Sequence, residues 1–227
     1  MKNYGLILSA GSSTRFGGTI KKQFYELKGK PVLFYSLNAF NKSKLIDEIV
    51  VVTSKEDIER VNQLISKYSF NKVKCVIEGG QSRQESVECG LNKLEDGIVL
   101  IHDSARPLVD EEIISSLIDA LKNNDGATPA IKSVDTIIKV KDGDLISFED
   151  RESLYRIQTP QAFKLSVIKE AHEKYKNQNA TDDTQLVNSL GYKIKIVPGK
   201  EQLLKLTRLE DTNALEAYIE QNEYLQN

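Results

Sequence analysis

Tyr4-Gly5-Leu6-Ile7-Leu8-Ser9-Ala10-Gly11-Ser12-Ser13-Thr14-Arg15-Phe16-Gly17-Gly18, with Lys21-Lys22-Gln23 close behind, is the stretch that decides the architecture of this 227-residue chain. An apolar strand runs into a loop of small residues, and fixed cations follow. Small side chains let main-chain N–H groups approach phosphate oxygens, and such concavities attract anions. Arg15 and Lys22 supply the positive charge that a phosphoryl-transfer transition state requires. The loop has neither the GxxxxGK[ST] nor the GxGxxG spacing. It is therefore a phosphate loop of another lineage, or a plain Gly/Ser turn after a first strand.

Outward from this strand, further apolar runs of strand length recur at Glu48–Val52, Val73–Ile77, Ile98–Ile101, Ala127–Ile131 and Lys193–Val197. Helical periodicity fills the gaps: Pro31–Phe40 opens on proline, Lys55–Tyr68 places Ile58, Val61, Leu64 and Ile65 on one face, and Asp110–Leu121 has an acidic first turn. Consecutive β-branched residues such as Ile49-Val50-Val51-Val52 are expected where helices cover both faces of a sheet. The fold class that follows is α/β, Rossmann-like and doubly wound around a mostly parallel sheet, which binds ligands at the carboxyl ends of its strands. One segment breaks the alternation. Lys132–Arg156 reads as extended pieces around an Asp142-Gly143 turn, with Ile137, Ile138, Val140, Leu145, Ile146 and Phe148 more apolar than a lone hairpin can bury. It is either a protruding arm that packs on a second subunit or a flap folded onto its own domain. With no repeat or linker, residues 1–227 form one domain with an arm at about 132–156.

Composition narrows the function. Hydrophobic residues make up 40% and charged residues 28%, and the net charge is −2, so no global basic field attracts nucleic acid or an anionic membrane. Cys75 and Cys89 lack CxxC spacing and read as thiols in a reducing compartment, and two distant histidines disfavour zinc. Without a signal-type leader or an apolar run of spanning length, the expectation is a soluble cytoplasmic protein.

Four further clusters fall at strand ends. Gly79-Gly80-Gln81-Ser82-Arg83 with Ser86 lets a backbone pass close to a ring or ribose, or simply caps a helix. In His102-Asp103-Ser104-Ala105-Arg106, a carboxylate at a strand's carboxyl end beside a phosphate loop suits Mg²⁺, which needs only one or two protein carboxylates plus phosphate oxygens. Asp103 could equally cap the next turn, Arg106 could pair with a phosphate or with Asp103, and His102 reads as structural. Arg151 is a candidate bidentate clamp for a phosphate monoester, or a solvated arginine. Thr181-Asp182-Asp183 is an N-cap, and Leu203-Leu204-Lys205-Leu206-Thr207 puts one lysine in an apolar strand, where it points to solvent or reaches a phosphate.

In this order the clusters resemble the 2-C-methyl-D-erythritol 4-phosphate cytidylyltransferase family, from Leu8 to about Ala214. The most specific matches are Ala10-Gly11 through Lys22-Gln23, Gly79-Gly80 with Arg83 and Ser86-Val87, His102-Asp103 with Ala105-Arg106-Pro107, Gln158-Thr159-Pro160-Gln161, and Thr181-Asp182-Asp183. The resemblance implies transfer of CMP from CTP to the polyol phosphate with release of pyrophosphate. It implies that Arg15 and Lys22 stabilise the transition state and that Ala10, Gly11, Ser12 and Ser13 line the triphosphate loop. Gly80 and Ser86 would contact the cytosine and Asp103 would hold magnesium. Arg151 and Lys205 would orient the polyol phosphate, with Arg106, Thr136 and Thr181 nearby. It also implies a homodimer by arm exchange, so that some substrate contacts come from the partner. Two features depart from the family pattern: Lys21 stands where proline is usual, and Lys205 keeps none of its usual neighbours. A ribitol 5-phosphate cytidylyltransferase would share the loop chemistry. Retention of Arg15, Lys22, Asp103, Arg151 and Lys205 argues against a catalytically silent nucleotide-binding subunit.

Overall fold

The computed structural model describes residues 1–13, 16–17, 20–176, 178 and 180–222. An eight-stranded sheet forms its centre. Four strands run parallel: β1 (Lys2–Ser9), β4 (Glu48–Thr53), β5 (Val73–Glu78) and β6 (Gly97–Asp103). Beyond β6, the short β11 (Gln161–Lys164) inserts antiparallel and carries β7 (Gly126–Lys132) on its far side. β12 (Ile194–Pro198) pairs parallel with β7, and β10 (Tyr155–Ile157) pairs antiparallel with it from the opposite edge, the two meeting at Ala130. The order is β10-β7-β11-β6-β1-β4-β5. A two-stranded ribbon, β2 (Glu26–Leu27) with β3 (Lys30–Pro31), lies between β1 and the first helix.

Among the described residues, seven α-helices cover the sheet. Buried residues of α1 (Val32–Lys42), α2 (Ile58–Tyr68), α4 (Glu111–Ala120) and α7 (Asp211–Gln221) join Ile7, Ile49, Val51 and Leu100 in one cluster. Those of α3 (Arg83–Leu91), α5 (Leu165–Lys174) and α6 (Asp183–Ser189) join Leu6, Leu8, Val50, Val52, Val99 and Ile101 in the other. Neighbouring strand residues thus enter opposite cores, because successive side chains alternate across a strand. Every position of Ile49–Val52 is buried for that reason, as the β-branched run predicts.

Between β1 and β6 the order of winding reverses: β1 leads outward to β4 and β5, and the chain returns to place β6 on the other side of β1. A crevice opens at such a point, beyond the carboxyl ends of the two strands. Ser9 ends β1 and Asp103 ends β6.

The segment at 132–156 departs from the main sheet as β8 (Ile138–Lys141) and β9 (Asp144–Phe148), an isolated antiparallel pair. Its turn is Asp142-Gly143, with φ of 54° and 93°. Two successive positive φ values make the primed turn that Asp-Gly favours. Its apolar side chains are largely uncovered: Val140, Leu145, Ile146 and Phe148 are each more than half exposed.

One expectation requires correction. Leu203–Thr207 is not a strand but the loop after a short 3₁₀ turn at Glu201–Leu203. Leu203 and Leu206 are fully buried, so the apolar pattern reflects a loop pinned into the α1/α4/α7 core. β10 falls at the end of the extended segment 132–156, whereas the sequence reading places no strand at the short β11 and no helix at α5 or α7.

Candidate active site

A cleft of about 410 Å³ occupies the β1/β6 crevice. Its floor is the loop Ala10-Gly11-Ser12, and one wall is Gly80 to Arg83 with Ser86. Lys22 and Gln23, Asp103 and Ser104, and Lys205 close the remainder. Of the residues singled out from the sequence, it therefore gathers Ala10, Gly11, Ser12, Lys22, Gly80, Ser86, Asp103 and Lys205. Arg15 lies outside the described residues.

Ser13 sits behind the floor in the left-handed region at φ 60°. Its Oγ accepts from the Lys22 N–H at 3.0 Å and donates to Gln23 Oε1 at 3.2 Å. Gln23, buried, donates through Nε2 to the Ser9 carbonyl at 3.1 Å. The loop is thus stitched to the segment that carries Lys22. On the opposite wall, the Ser86 hydroxyl donates to Ser82 O at 2.9 Å. A Cβ on Gly79 would stand 2.7 Å from Ser86 Oγ and one on Gly80 would stand 2.2 Å from Glu85 Cβ, so both glycines are required by close approach.

Charge in the cleft is organised around Asp103. Lys205 Nζ donates to Oδ2 at 2.6 Å and Arg83 Nε to Oδ1 at 3.2 Å. Arg83 also donates through Nη1 to Asp183 Oδ2 at 2.7 Å, and the buried His172 donates through Nε2 to Asp183 Oδ1 at 3.0 Å. Burial by itself would raise the pKa of both carboxyls, but Arg83, with Lys205 on Asp103 and His172 on Asp183, holds each below the ordinary range. Burial works likewise against the Arg83 cation, and Asp183 and Asp103 outweigh it. Asp183→Ala would leave Arg83 facing an empty, desolvated partner position; breaking a buried pair from one side costs about 3–5 kcal/mol. The expected result is a melting temperature lower by roughly 10 °C, by calorimetry. An unchanged melting temperature would remove Asp183 as the support of Arg83.

His102 precedes this carboxylate and is fully buried. Burial lowers its pKa to about 4. The neutral ring fits its partners: Nε2–H donates to the Arg106 carbonyl at 3.0 Å, and Nδ1 accepts from the Thr159 hydroxyl at 3.1 Å. Thr159 Oγ1 accepts in turn from the Asp103 N–H at 3.1 Å, so His102 serves the backbone that presents Asp103.

Besides Ser13 behind the floor, four singled-out residues do not line the cleft. Arg106 donates to the carbonyls of Leu203 at 2.6 Å and Ile157 at 3.3 Å, and so braces the Lys205 loop. Thr181 is exposed, next to Asp182, which caps α6 and accepts from Gln161 Nε2 at 2.6 Å. Thr136 and Arg151 lie exposed on the arm. Lys21, adjacent to Lys22, does not line the cleft either. Sequence reasoning missed His172 and the partnership of Arg83 with Asp183, which joins residues 100 positions apart.

A family model for 2-C-methyl-D-erythritol 4-phosphate cytidylyltransferase matches residues 4–221. A protein of that name from Halalkalibacterium halodurans is 39% identical over 221 residues, spanning 96% of this chain and 97% of the relative. Another from Clostridium novyi is 40% identical over 224 residues, spanning 96% and 97%. The solved structure of 4-diphosphocytidyl-2C-methyl-D-erythritol synthase from Anaerococcus prevotii is similar with a TM-score of 0.84 at 32% identity, covering 96% of this chain and 98% of that one.

Proposed function

The chain belongs to the 2-C-methyl-D-erythritol 4-phosphate cytidylyltransferase family, and from that premise we propose that it transfers CMP from CTP to 2-C-methyl-D-erythritol 4-phosphate, releasing pyrophosphate. The observation that carries the reading is the convergence of a small-residue loop, Lys22, Asp103 and Lys205 on one cleft at the sheet's switch point. A phosphate oxygen of the polyol attacks the α-phosphorus, the new P–O bond forms, and the bridging oxygen departs with pyrophosphate. The attacking phosphate is already a nucleophile at neutral pH, so positioning and charge compensation are the whole task.

Main-chain N–H groups of residues 10–13 cradle the triphosphate, and Lys22, with Arg15, offsets charge developing toward the leaving group. Gly80 and Ser86 form the wall for the base. Lys205 meets the polyol phosphate. Asp103 fits Mg²⁺: it is an ionised carboxylate facing the cleft, and magnesium bound to substrate phosphates needs only one or two such ligands. When bound, the ion offsets phosphate charge.

The working unit is a homodimer joined through the arms. The exposed apolar hairpin supports this, because such patches mark interfaces. Among the described residues no helix is long and apolar enough to cross a membrane, and Cys75 and Cys89 are unpaired, in keeping with a cytoplasmic enzyme.

The test is pyrophosphate release with CTP and Mg²⁺, with 2-C-methyl-D-erythritol 4-phosphate and ribitol 5-phosphate supplied separately. Release with the first alone is expected. Release with the second alone would reassign the acceptor, and release with neither would leave a nucleotide-binding subunit.

A further inference from the structure

We infer that Lys21 is a positioning residue that aims its neighbour Lys22 into the cleft, through a clamp formed by the connection between β4 and α2. The Lys21 ammonium donates to Glu56 Oε1 and Asp57 Oδ2, each at 2.6 Å, and to Ser54 Oγ at 3.0 Å. Three acceptors fill the donor capacity of an ammonium. Asp57 is buried and is itself fixed by the Ser54 hydroxyl at 2.7 Å, so the anchor point is built in advance.

The segment needs such a clamp because it has little rigidity of its own. Residues 22–24 form a single 3₁₀ turn whose N-cap, Lys21, makes no side-chain capping bond. One such turn has poor hydrogen-bond geometry and does not hold a direction unaided. On the cleft side, Ser13 and Ser9 hold Lys22 N–H and Gln23. On the far side, Lys21 holds the same backbone to the start of α2, and the Arg60 guanidinium lies 3.9 Å from the centre of the Phe24 ring. Lys22 is bracketed by neighbours tied in opposite directions. Isolated exposed ion pairs contribute little to stability. Here the effect is on direction, since a displacement of about 1 Å in a positioned group can cost about a hundredfold in rate.

The backbone of Lys21 offers a control. Its φ of −63° is the angle that a proline ring imposes, with ψ at 136°. Lys21→Pro therefore removes the ammonium but locks the same backbone covalently, whereas Lys21→Met removes the ammonium and locks nothing.

The inference rests on the role given to Lys22, and the experiment separates the two. Turnover and KM for CTP are measured for Lys21→Met, Lys21→Pro, Asp57→Asn, the Lys21→Met/Asp57→Asn pair and Lys22→Ala. Lys21→Met should lower kcat by about ten- to a hundredfold without a matching rise in KM. Asp57→Asn should reproduce much of that loss, and the pair should be no slower than the worse single variant, because both cut one tether. Lys21→Pro should recover most of the rate. Unchanged kcat in Lys21→Met, full additivity of the pair, or Lys21→Pro as slow as Lys21→Met would each overturn the clamp. An active Lys22→Ala would overturn the role of Lys22 itself, and the clamp with it.

Discussion

Lys22→Ala is expected to lower kcat about a thousandfold or more, while KM for CTP changes far less. The magnitude follows from where its charge is needed. Removing one preorganised donor from a developing oxyanion costs about 10²–10³ in kcat, and removing a cation from a phosphoryl-transfer site costs about 10³–10⁵. In the proposed site CTP keeps its other contacts, since the loop at 10–12 and the wall at Gly80 and Ser86 remain. The loss therefore falls on the transition state more than on the ground state. Lys21 cannot substitute, since its ammonium is taken up by Ser54, Glu56 and Asp57 outside the cleft. Steady-state pyrophosphate release and a circular dichroism melt on the same sample decide the matter. Turnover within tenfold of the parent, with the fold intact, would assign the transition-state cation elsewhere.

The fold was legible wherever the physics is local. Ile49-Val50-Val51-Val52 announces a doubly covered strand because each residue must satisfy one of two cores, and the structure places them so. Asp142-Gly143 announces its hairpin because both positions must tolerate positive φ. What was not legible depends on partners distant in sequence. β11 is four residues long and exists because β6 and β7 leave a gap between them, not because Gln161–Lys164 prefers extension. Leu203–Thr207 carries the apolar pattern of a strand, yet Leu203 and Leu206 are drawn into the core from a loop, which swings Lys205 onto Asp103.

The candidate site divides in the same way. Asp103 ends β6 and Gly80 follows β5 by two residues, so naming those strands names part of the site. The choice between Lys21 and Lys22 is different: both are lysines on one short turn, and only the acidic acceptors at Glu56 and Asp57, 35 and 36 residues on, distinguish them. Arg83 has the same lesson. It reads as a helix-start residue, but its partners are carboxylates at the end of β6 and the start of α6, which only the packed sheet brings within reach.

Arg151→Ala is expected to cut kcat/KM for the polyol phosphate by about a hundredfold or more, the value of two charge-assisted hydrogen bonds to a phosphate, with little change in KM for CTP. Within its own chain the residue has no such task. Its side chain is 60% exposed on a 3₁₀ turn at the base of the arm, and its Nε lies 4.0 Å from Glu152 Oε1. Thr136 is exposed in the connection that enters the same arm, between β7 and β8. The arm's uncovered Val140, Leu145, Ile146 and Phe148 need a surface to rest on, and a two-fold arrangement supplies the same surface to both copies. In the proposed dimer each cleft would receive the Arg151 of the other protomer. Co-expression of Lys22→Ala and Arg151→Ala chains tests this directly. In a mixed dimer, the Arg151→Ala protomer keeps its own Lys22 and borrows an intact Arg151, so one of its two clefts is complete. With random pairing about a quarter of all clefts are restored, although either variant alone is nearly inactive. If Arg151 served its own cleft, no mixture could hold a complete site, and activity at the level of the two parents would place the arm's arginine within its own protomer.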